Sequence, residues 1–141
     1  MDNYPPDLIV DAWPMMEWIQ GREPAASGFE SILQAAARGE TRLAMSRINR
    51  GEVMCLVRKN FRADVVGSFL EKIQSLPIQL LSVSDELIDA AVDLKSVYPI
   101  SFADAFAAAE ARRASAPLIT GDHEFMDLQK DGLIQLRWLG A

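Results

Sequence analysis

The chain has 141 residues, of which half are hydrophobic and 24% are charged, and its formal net charge at pH 7 is −6. This length fits one domain over residues 1–141 with a sizeable core, and the composition excludes disordered, collagen-like and coiled-coil chains. No apolar run approaches the ~18 residues of a membrane span, and the first residues lack the positive region of a secretory signal. The sequence therefore predicts a cytoplasmic protein without a membrane segment.

The scarcity of cysteine and histidine restricts the possible metal chemistry. The only cysteine, Cys55, fits a reducing compartment, and its apolar neighbours place it in the predicted core. Together with the only histidine, His123, it leaves too few ligands for a zinc site built from these residues. A bound metal would be held mainly by oxygen, which favours Mg²⁺ or Mn²⁺.

Five short apolar segments, taken in chain order, predict the strands of a sheet. The first of them, Leu-Ile-Val at residues 8–10, is wholly apolar, as is typical of a parallel strand buried on both faces. The predicted strands cover residues 8–10, 43–45, 78–83, 117–120 and 133–137.

Helical segments alternate with these strands. Ser46, Ser84 and Ser101 stand where their side chains can cap the helices that follow. The predicted helices begin near Pro14 and then cover residues 28–37, 47–59, 63–76, 85–97 and 102–114. Short strands alternating with helices predict an α/β fold, a parallel sheet with helices on both faces.

Four carboxylates stand where such a fold would bring them together. Asp11 directly follows the first strand and Asp122 lies two residues beyond the fourth, and ligands of open α/β sheets gather outside the carboxyl ends of the strands. Glu52 shares a helical face with apolar residues, and Asp104 lies one turn into an alanine-rich helix. Clustered carboxylates repel one another, so a fold keeps such a cluster mainly when a cation neutralises it.

Each carboxylate also has a purely structural interpretation. Asp11 and Asp122 could cap the helices that follow them, and Asp104 could close a capping box that begins at Ser101. Glu52 could pair with a neighbouring arginine or point to solvent. Residues 38–62 hold seven basic residues against two acidic ones, so Arg47 and Arg50 belong either to a solvated face or to a basic wall that contacts a phosphate backbone.

Four motifs in this order resemble the PIN-domain proteins of the VapC type, the toxin half of bacterial and archaeal toxin–antitoxin pairs. The resemblance covers nearly the whole chain and is most specific between residues 94 and 125. It implies a five-stranded parallel sheet in the order 3-2-1-4-5, Mg²⁺- or Mn²⁺-dependent cleavage of RNA, a small cognate antitoxin and a homodimer. The motifs are the apolar strand before Asp11, Ser46-Arg-Ile-Asn-Arg-Gly-Glu52-Val, Tyr98-Pro-Ile-Ser-Phe-Ala-Asp104-Ala-Phe-Ala-Ala-Ala and Ala116-Pro-Leu-Ile-Thr-Gly-Asp122-His-Glu-Phe.

The resemblance also assigns roles to individual residues. Three of the four carboxylates match the family's principal acids, and Asp122 matches a more variable fourth one. Thr120 matches a hydroxyl often found just before that acid. Trp13 departs from the pattern, because the family commonly has Ser or Thr two positions after the first acid. The three principal acids are Asp11, Glu52 and Asp104.

Three functions compete on this evidence. The first is a metal-dependent endoribonuclease toxin, in which Asp11 and Asp104 bind the metal, Glu52 binds it or orients the attacking water, and Asp122 binds a second ion or an outer water. Arg47 and Arg50 would contact the RNA backbone. The second is a PIN-like adaptor that binds RNA or protein without chemistry, which Trp13 favours. The third is a different enzyme that acts on phosphate groups and has an α/β sheet, but the sequence does not contain the motifs of such enzymes. In this interpretation His123 and Glu124 are surface residues.

Overall fold

A computed structural model describes residues 5–141 and shows an all-parallel sheet of five strands in the order β3-β2-β1-β4-β5. This confirms the predicted fold class and strand order. In the centre of the sheet, Ile9 of β1 lies opposite Ala44 on one side and Leu118 on the other. The strands are β1 (Leu8–Val10), β2 (Leu43–Ser46), β3 (Ile78–Leu81), β4 (Leu118–Thr120) and β5 (Leu136–Trp138).

Seven α-helices and one 3₁₀ turn connect the strands within the described residues. The side chains of Ser46, Ser84 and Ser101 accept hydrogen bonds from backbone N–H groups in the first turns of α3, α5 and α6, as predicted. The helices are α1 (Ala12–Gln20), α2 (Ala25–Ala37), α3 (Arg47–Asn60), α4 (Ala63–Gln74), α5 (Asp85–Val97), α6 (Phe102–Ala114) and α7 (Met126–Lys130), and the 3₁₀ turn is His123–Phe125.

Several predicted boundaries are wrong by a few residues. Helix α1 agrees with the prediction: it begins at Ala12, and Pro14 lies in its first turn, where the N–H groups have no partner within the helix and proline is tolerated. Helix α2 begins three residues earlier than predicted, at Ala25. Strand β5 begins only at Leu136, since the N–H of Leu133 bonds to the carbonyl of Leu128 and closes the end of α7.

The core lies in two layers, one on each face of the sheet. Ile9 and Val10 are both fully buried, the first against α5 and α6 and the second among residues of α1, α2 and α3. Every residue from 104 to 111 of α6 is buried. The small alanine side chains there let the sheet and α5 approach this helix closely.

One predicted core residue lies outside the core. Cys55 is exposed, because the buried stripe of α3 runs through Asn49, Val53 and Val57. At 3.6 residues per turn, a position two residues after Val53 points to the far side of the helix. Within residues 5–141, no helix is both long enough and apolar enough to cross a membrane.

Candidate active site

A cavity of about 210 Å³ opens at the carboxyl edge of the sheet and is lined by all four carboxylates singled out in the sequence. Strand β1 delivers the first of them and the loop after β4 delivers another. The second turn of α3 and the first turn of α6 supply the remaining two. Apolar residues from α1 and α3 complete the wall. The lining residues are Asp11, Glu52, Asp104 and Asp122 with Ala12, Trp13, Met16 and Leu56.

Asp11 is the most deeply buried of these carboxylates, with 1% of its surface exposed. The Thr120 hydroxyl donates a hydrogen bond to Asp11 Oδ2 over 2.8 Å, whereas Asp11 Oδ1 is buried without a partner. Burial raises the pKa of Asp11 from 3.8 to about 7; the Thr120 bond and the nearby Ala12 backbone N–H oppose that rise, and the charges of Glu52 and Asp122 add to it. Asp11 occupies the position before α1, but its side chain makes no capping bond.

Thr120 links this carboxylate to the loop that carries Asp122. Its hydroxyl oxygen accepts a hydrogen bond from the Asp122 N–H over 3.1 Å while the hydroxyl donates to Asp11. Asp122 in turn accepts from the Glu124 N–H over 2.9 Å through Oδ1, so it does cap the 3₁₀ turn. This leaves Asp122 Oδ2 for another partner.

Asp104 is buried beside two other carboxylates. Its N–H donates to the Ser101 hydroxyl oxygen, and its side chain approaches Asp122 and Glu124, with carboxylate oxygens of all three within 4.8 Å of one another. Burial raises the pKa of Asp104 well above its ordinary value, and a hydrogen bond to the Glu124 carboxylate and the charge of Asp11 raise it further. Glu124 is exposed, as the sequence predicts, and one of its carboxylate oxygens still reaches this cluster. The sequence feature that could have placed Glu124 at the cavity is its position two residues after Asp122, in a short turn.

Glu52 stands at the more open side of the cavity. It is half-buried, and burial together with the charge of Asp122 raises its pKa. Among residues 5–141, no ion pair joins Glu52 to Arg47 or Arg50. The alternative that Glu52 is neutralised by a neighbouring arginine therefore has no support in the geometry.

The three predicted substrate contacts lie in different surroundings. Arg47 is exposed at the start of α3. Arg50 lines a separate cavity of about 110 Å³ beside Met45 and Leu80, and its Nε is buried without a partner. Thr120 is fully buried, with its hydroxyl engaged by Asp11 and the Asp122 backbone. Their contact with substrate stays a prediction.

The cluster fits a hard divalent cation. Its ligand atoms are all carboxylate oxygens, the donors that Mg²⁺ and Mn²⁺ prefer. An unpartnered buried carboxylate oxygen, such as Oδ1 of Asp11, is costly unless a positive charge or a donor faces it. The raised pKa values of Asp11 and Asp104 show the same uncompensated negative charge.

Comparison with known proteins shows which family and which solved structures this chain resembles. The sequence profile of the PIN domain matches residues 8–131. No protein with a curated description matches the sequence. The fold is similar to that of DNA-bound VapBC from Salmonella typhimurium, with a TM-score of 0.69 and 12% identity over 94% of this chain and 98% of that one.

Two further solved structures share the fold. VapBC2 from Rickettsia felis, bound to a DNA fragment from their promoter, has a TM-score of 0.68 and 15% identity over 92% of this chain and 96% of that one. VapC20 from Mycobacterium tuberculosis, described as a sarcin-ricin loop cleaving toxin, has a TM-score of 0.66 and 16% identity over 85% of this chain and 93% of that one. The resemblance noted in the sequence is confirmed, and the chain belongs to the PIN domain family.

Proposed function

We propose that the protein is a metal-dependent endoribonuclease and the toxin of a type II toxin–antitoxin system. The observation that carries the proposal is the convergence of Asp11, Glu52, Asp104 and Asp122 on one cavity, with a buried oxygen of Asp11 left unpartnered. The structural neighbours, which include VapBC complexes and a VapC toxin described as cleaving the sarcin-ricin loop, support this function.

We assign roles to the carboxylates according to how deeply they are buried. Asp11 and Asp104, the most buried acids of this cavity, would hold Mg²⁺ or Mn²⁺, and Asp122 with Glu124 would complete the ligand set. The ion would supply Lewis-acid polarisation of the phosphodiester and an activated water. Glu52, on the open side, would orient that water as a hydrogen-bond acceptor.

The remaining residues serve the substrate and the carboxylates. Thr120 holds the Asp11 carboxylate in one orientation, and we assign it this positioning role in addition to the predicted substrate contact. Arg47 would contact the RNA backbone from the exposed start of α3, and Arg50 would do so only after turning out of its cavity.

We also propose the assembly and location that the VapBC neighbours suggest. A small antitoxin would cover the acidic cavity, and two copies of the toxin would form a homodimer. We propose a cytoplasmic location, because RNA is present there and the reducing conditions keep an exposed thiol such as that of Cys55 free. Co-expression with the product of a short neighbouring reading frame, followed by size-exclusion chromatography, tests the complex and its stoichiometry.

The test of activity is cleavage of a structured RNA pool by purified protein in Mg²⁺ or Mn²⁺ and in EDTA. We expect metal-dependent cutting that Asp11→Asn and Asp104→Asn abolish. Asp89→Asn, an exposed aspartate of α5, is the matched control and should cut like the wild type. Absence of cutting together with absence of Mn²⁺ binding would contradict the nuclease and favour the adaptor.

A further inference from the structure

The cavity has two chemically different halves. One half carries the carboxylates, and the other is a wall of apolar side chains from α1 and α3, which we call the apolar wall: Ala12, Trp13, Met16 and Leu56. The carboxylates of the acidic half can bind a metal ion, which in turn can bind a phosphodiester. Neither an ion nor a phosphate group makes favourable contacts with the apolar wall. A volume of about 210 Å³ is below the roughly 300–1,000 Å³ of ordinary ligand pockets. The space therefore admits no more than part of one nucleotide, such as its phosphate and its base.

Trp13 holds a fixed place in this wall. Its six-membered ring lies directly on the backbone of Gly121, where a Cβ atom would come within 3.0 Å of three ring carbons. Gly121 stands between Thr120 and Asp122, the two residues whose bonds orient the carboxylates. The position of the indole is therefore fixed relative to the carboxylates, and its exposed part faces the cavity that they line.

Trp13 also differs from Trp18, another tryptophan of α1. The Trp18 N–H donates to Glu30 Oε1 over 3.0 Å, and its ring packs edge-on against Phe29 and under the Lys72 ammonium. Trp13 is only partly buried, and its indole N–H has no hydrogen-bond partner among residues 5–141. Trp13 therefore presents an aromatic surface and an unpaired hydrogen-bond donor to the candidate active site, and both are properties of residues that bind substrate.

We propose that Trp13 is a specificity-determining residue that stacks on the base of a nucleotide flanking the cleaved phosphodiester. The inference rests on the proposed nuclease function and adds a substrate contact to it. Aromatic side chains bind single-stranded RNA by stacking on bases that are splayed out of a helix. The apolar wall thus selects an unpaired nucleotide and fixes where the phosphodiester enters the acidic half.

Tryptophan fluorescence tests this contact without requiring cleavage. The probe is a single-stranded RNA octamer in Mg²⁺, added to Asp104→Asn protein so that the RNA stays intact. We expect the octamer to quench this protein, the further Trp13→Phe change to remove most of the quenching, and Trp18→Phe to leave it in place. Thermal unfolding of each variant confirms that it is folded.

An abasic series tests the base directly. Removing the base at one position of the octamer should weaken binding about tenfold, in line with the loss of one stacked base. The same removal should have little effect on Trp13→Leu protein, in which the stacking surface is already absent. A purely structural role for Trp13 would weaken binding of every octamer equally, and that result would overturn the inference.

Cleavage of the same octamer by the wild type separates this inference from the proposed function. Cleavage without Trp13-dependent quenching would overturn the inference and leave the nuclease intact. Trp13-dependent quenching without cleavage would support the stacking contact, and it would contradict the nuclease only together with absence of Mn²⁺ binding. Absence of quenching would overturn the inference whether or not the octamer is cut, and absence of both cleavage and Mn²⁺ binding would contradict the nuclease.

Discussion

The segment Thr120-Gly121-Asp122 shows how three adjacent residues can order a site from its centre. The Thr120 side chain fixes Asp11, Gly121 leaves room for Trp13, and Asp122 faces the cavity. Each role depends on a different property: a hydroxyl, the absence of a Cβ, and a carboxylate. Single substitutions can therefore separate them.

Thr120→Val removes the hydroxyl and keeps the shape of the side chain. Asp11 Oδ2 then loses its donor in a buried place, and we expect a loss of about 1–3 kcal/mol in the free energy of unfolding. Thr120→Ser retains the hydroxyl and should lose much less. Urea unfolding of the metal-free variants measures the difference, and equal stability of the valine and wild-type proteins would contradict the assigned hydrogen bond.

Gly121→Ala tests the contact between the glycine and the indole. The added methyl group overlaps the Trp13 ring, so we expect a destabilisation of about 1–3 kcal/mol from overpacking. Trp13→Ala removes the obstacle, and the double variant should therefore be destabilised by less than the sum of the two single changes. Strict additivity in urea unfolding would show that the two residues do not touch.

At the scale of elements, the site depends on the packing of α3 against α6. These helices carry Glu52 and Asp104, and neither carboxylate holds the other helix in place. The connection is Asn49, which is fully buried and donates from Nδ2 to the Ala103 carbonyl over 2.9 Å. That bond joins the turn before Glu52 to the residue before Asp104.

Asn49→Ala should therefore weaken metal binding from a distance. Losing the interhelical bond and its packing should cost about 1–3 kcal/mol of stability and lower Mn²⁺ affinity several-fold, because the two carboxylates lose their relative positions. The matched control is Asn60→Ala, which removes an exposed amide that bonds only to the Leu56 carbonyl within α3. Mn²⁺ titration by calorimetry compares them; equal affinities would remove Asn49 from the site.

The sequence predicts what depends on local order and on general rules of parallel sheets. Strand ends placed Asp11 and Asp122 on one edge, and serine caps marked the starts of three helices. It does not predict contacts set by how helices cross, such as Asn49 with Ala103 or Trp13 with Gly121. Arg50 combines both cases: helix periodicity alone turns it away from Glu52, whereas the separate cavity that it lines is set by the packing of the fold.

At the scale of the whole molecule, we expect the concentration of carboxylates to make stability depend on pH and on a bound metal. Asp11 has a pKa of about 7 in the folded protein against an ordinary value of 3.8, so between these values the folded state binds more protons than the unfolded state. Stability is therefore greatest at low pH with respect to this group and is lost as the pH rises. The raised pKa of Asp104 extends the loss to higher pH.

Thermal unfolding should show both effects in one experiment. In EDTA we expect Tm to fall between about pH 5 and pH 8, by roughly 3 °C or more, because in this range the folded state still binds protons at Asp11 and Asp104 that the unfolded state has released. Saturating Mg²⁺ should raise Tm by more at pH 8 than at pH 5, because the cation competes with protons for the same oxygens. Asp11→Asn should flatten the EDTA profile, and Asp89→Asn should preserve it. A Tm that rises with pH in EDTA would show that these carboxylates are already neutralised within the protein, and a cation would then have no uncompensated charge to bind.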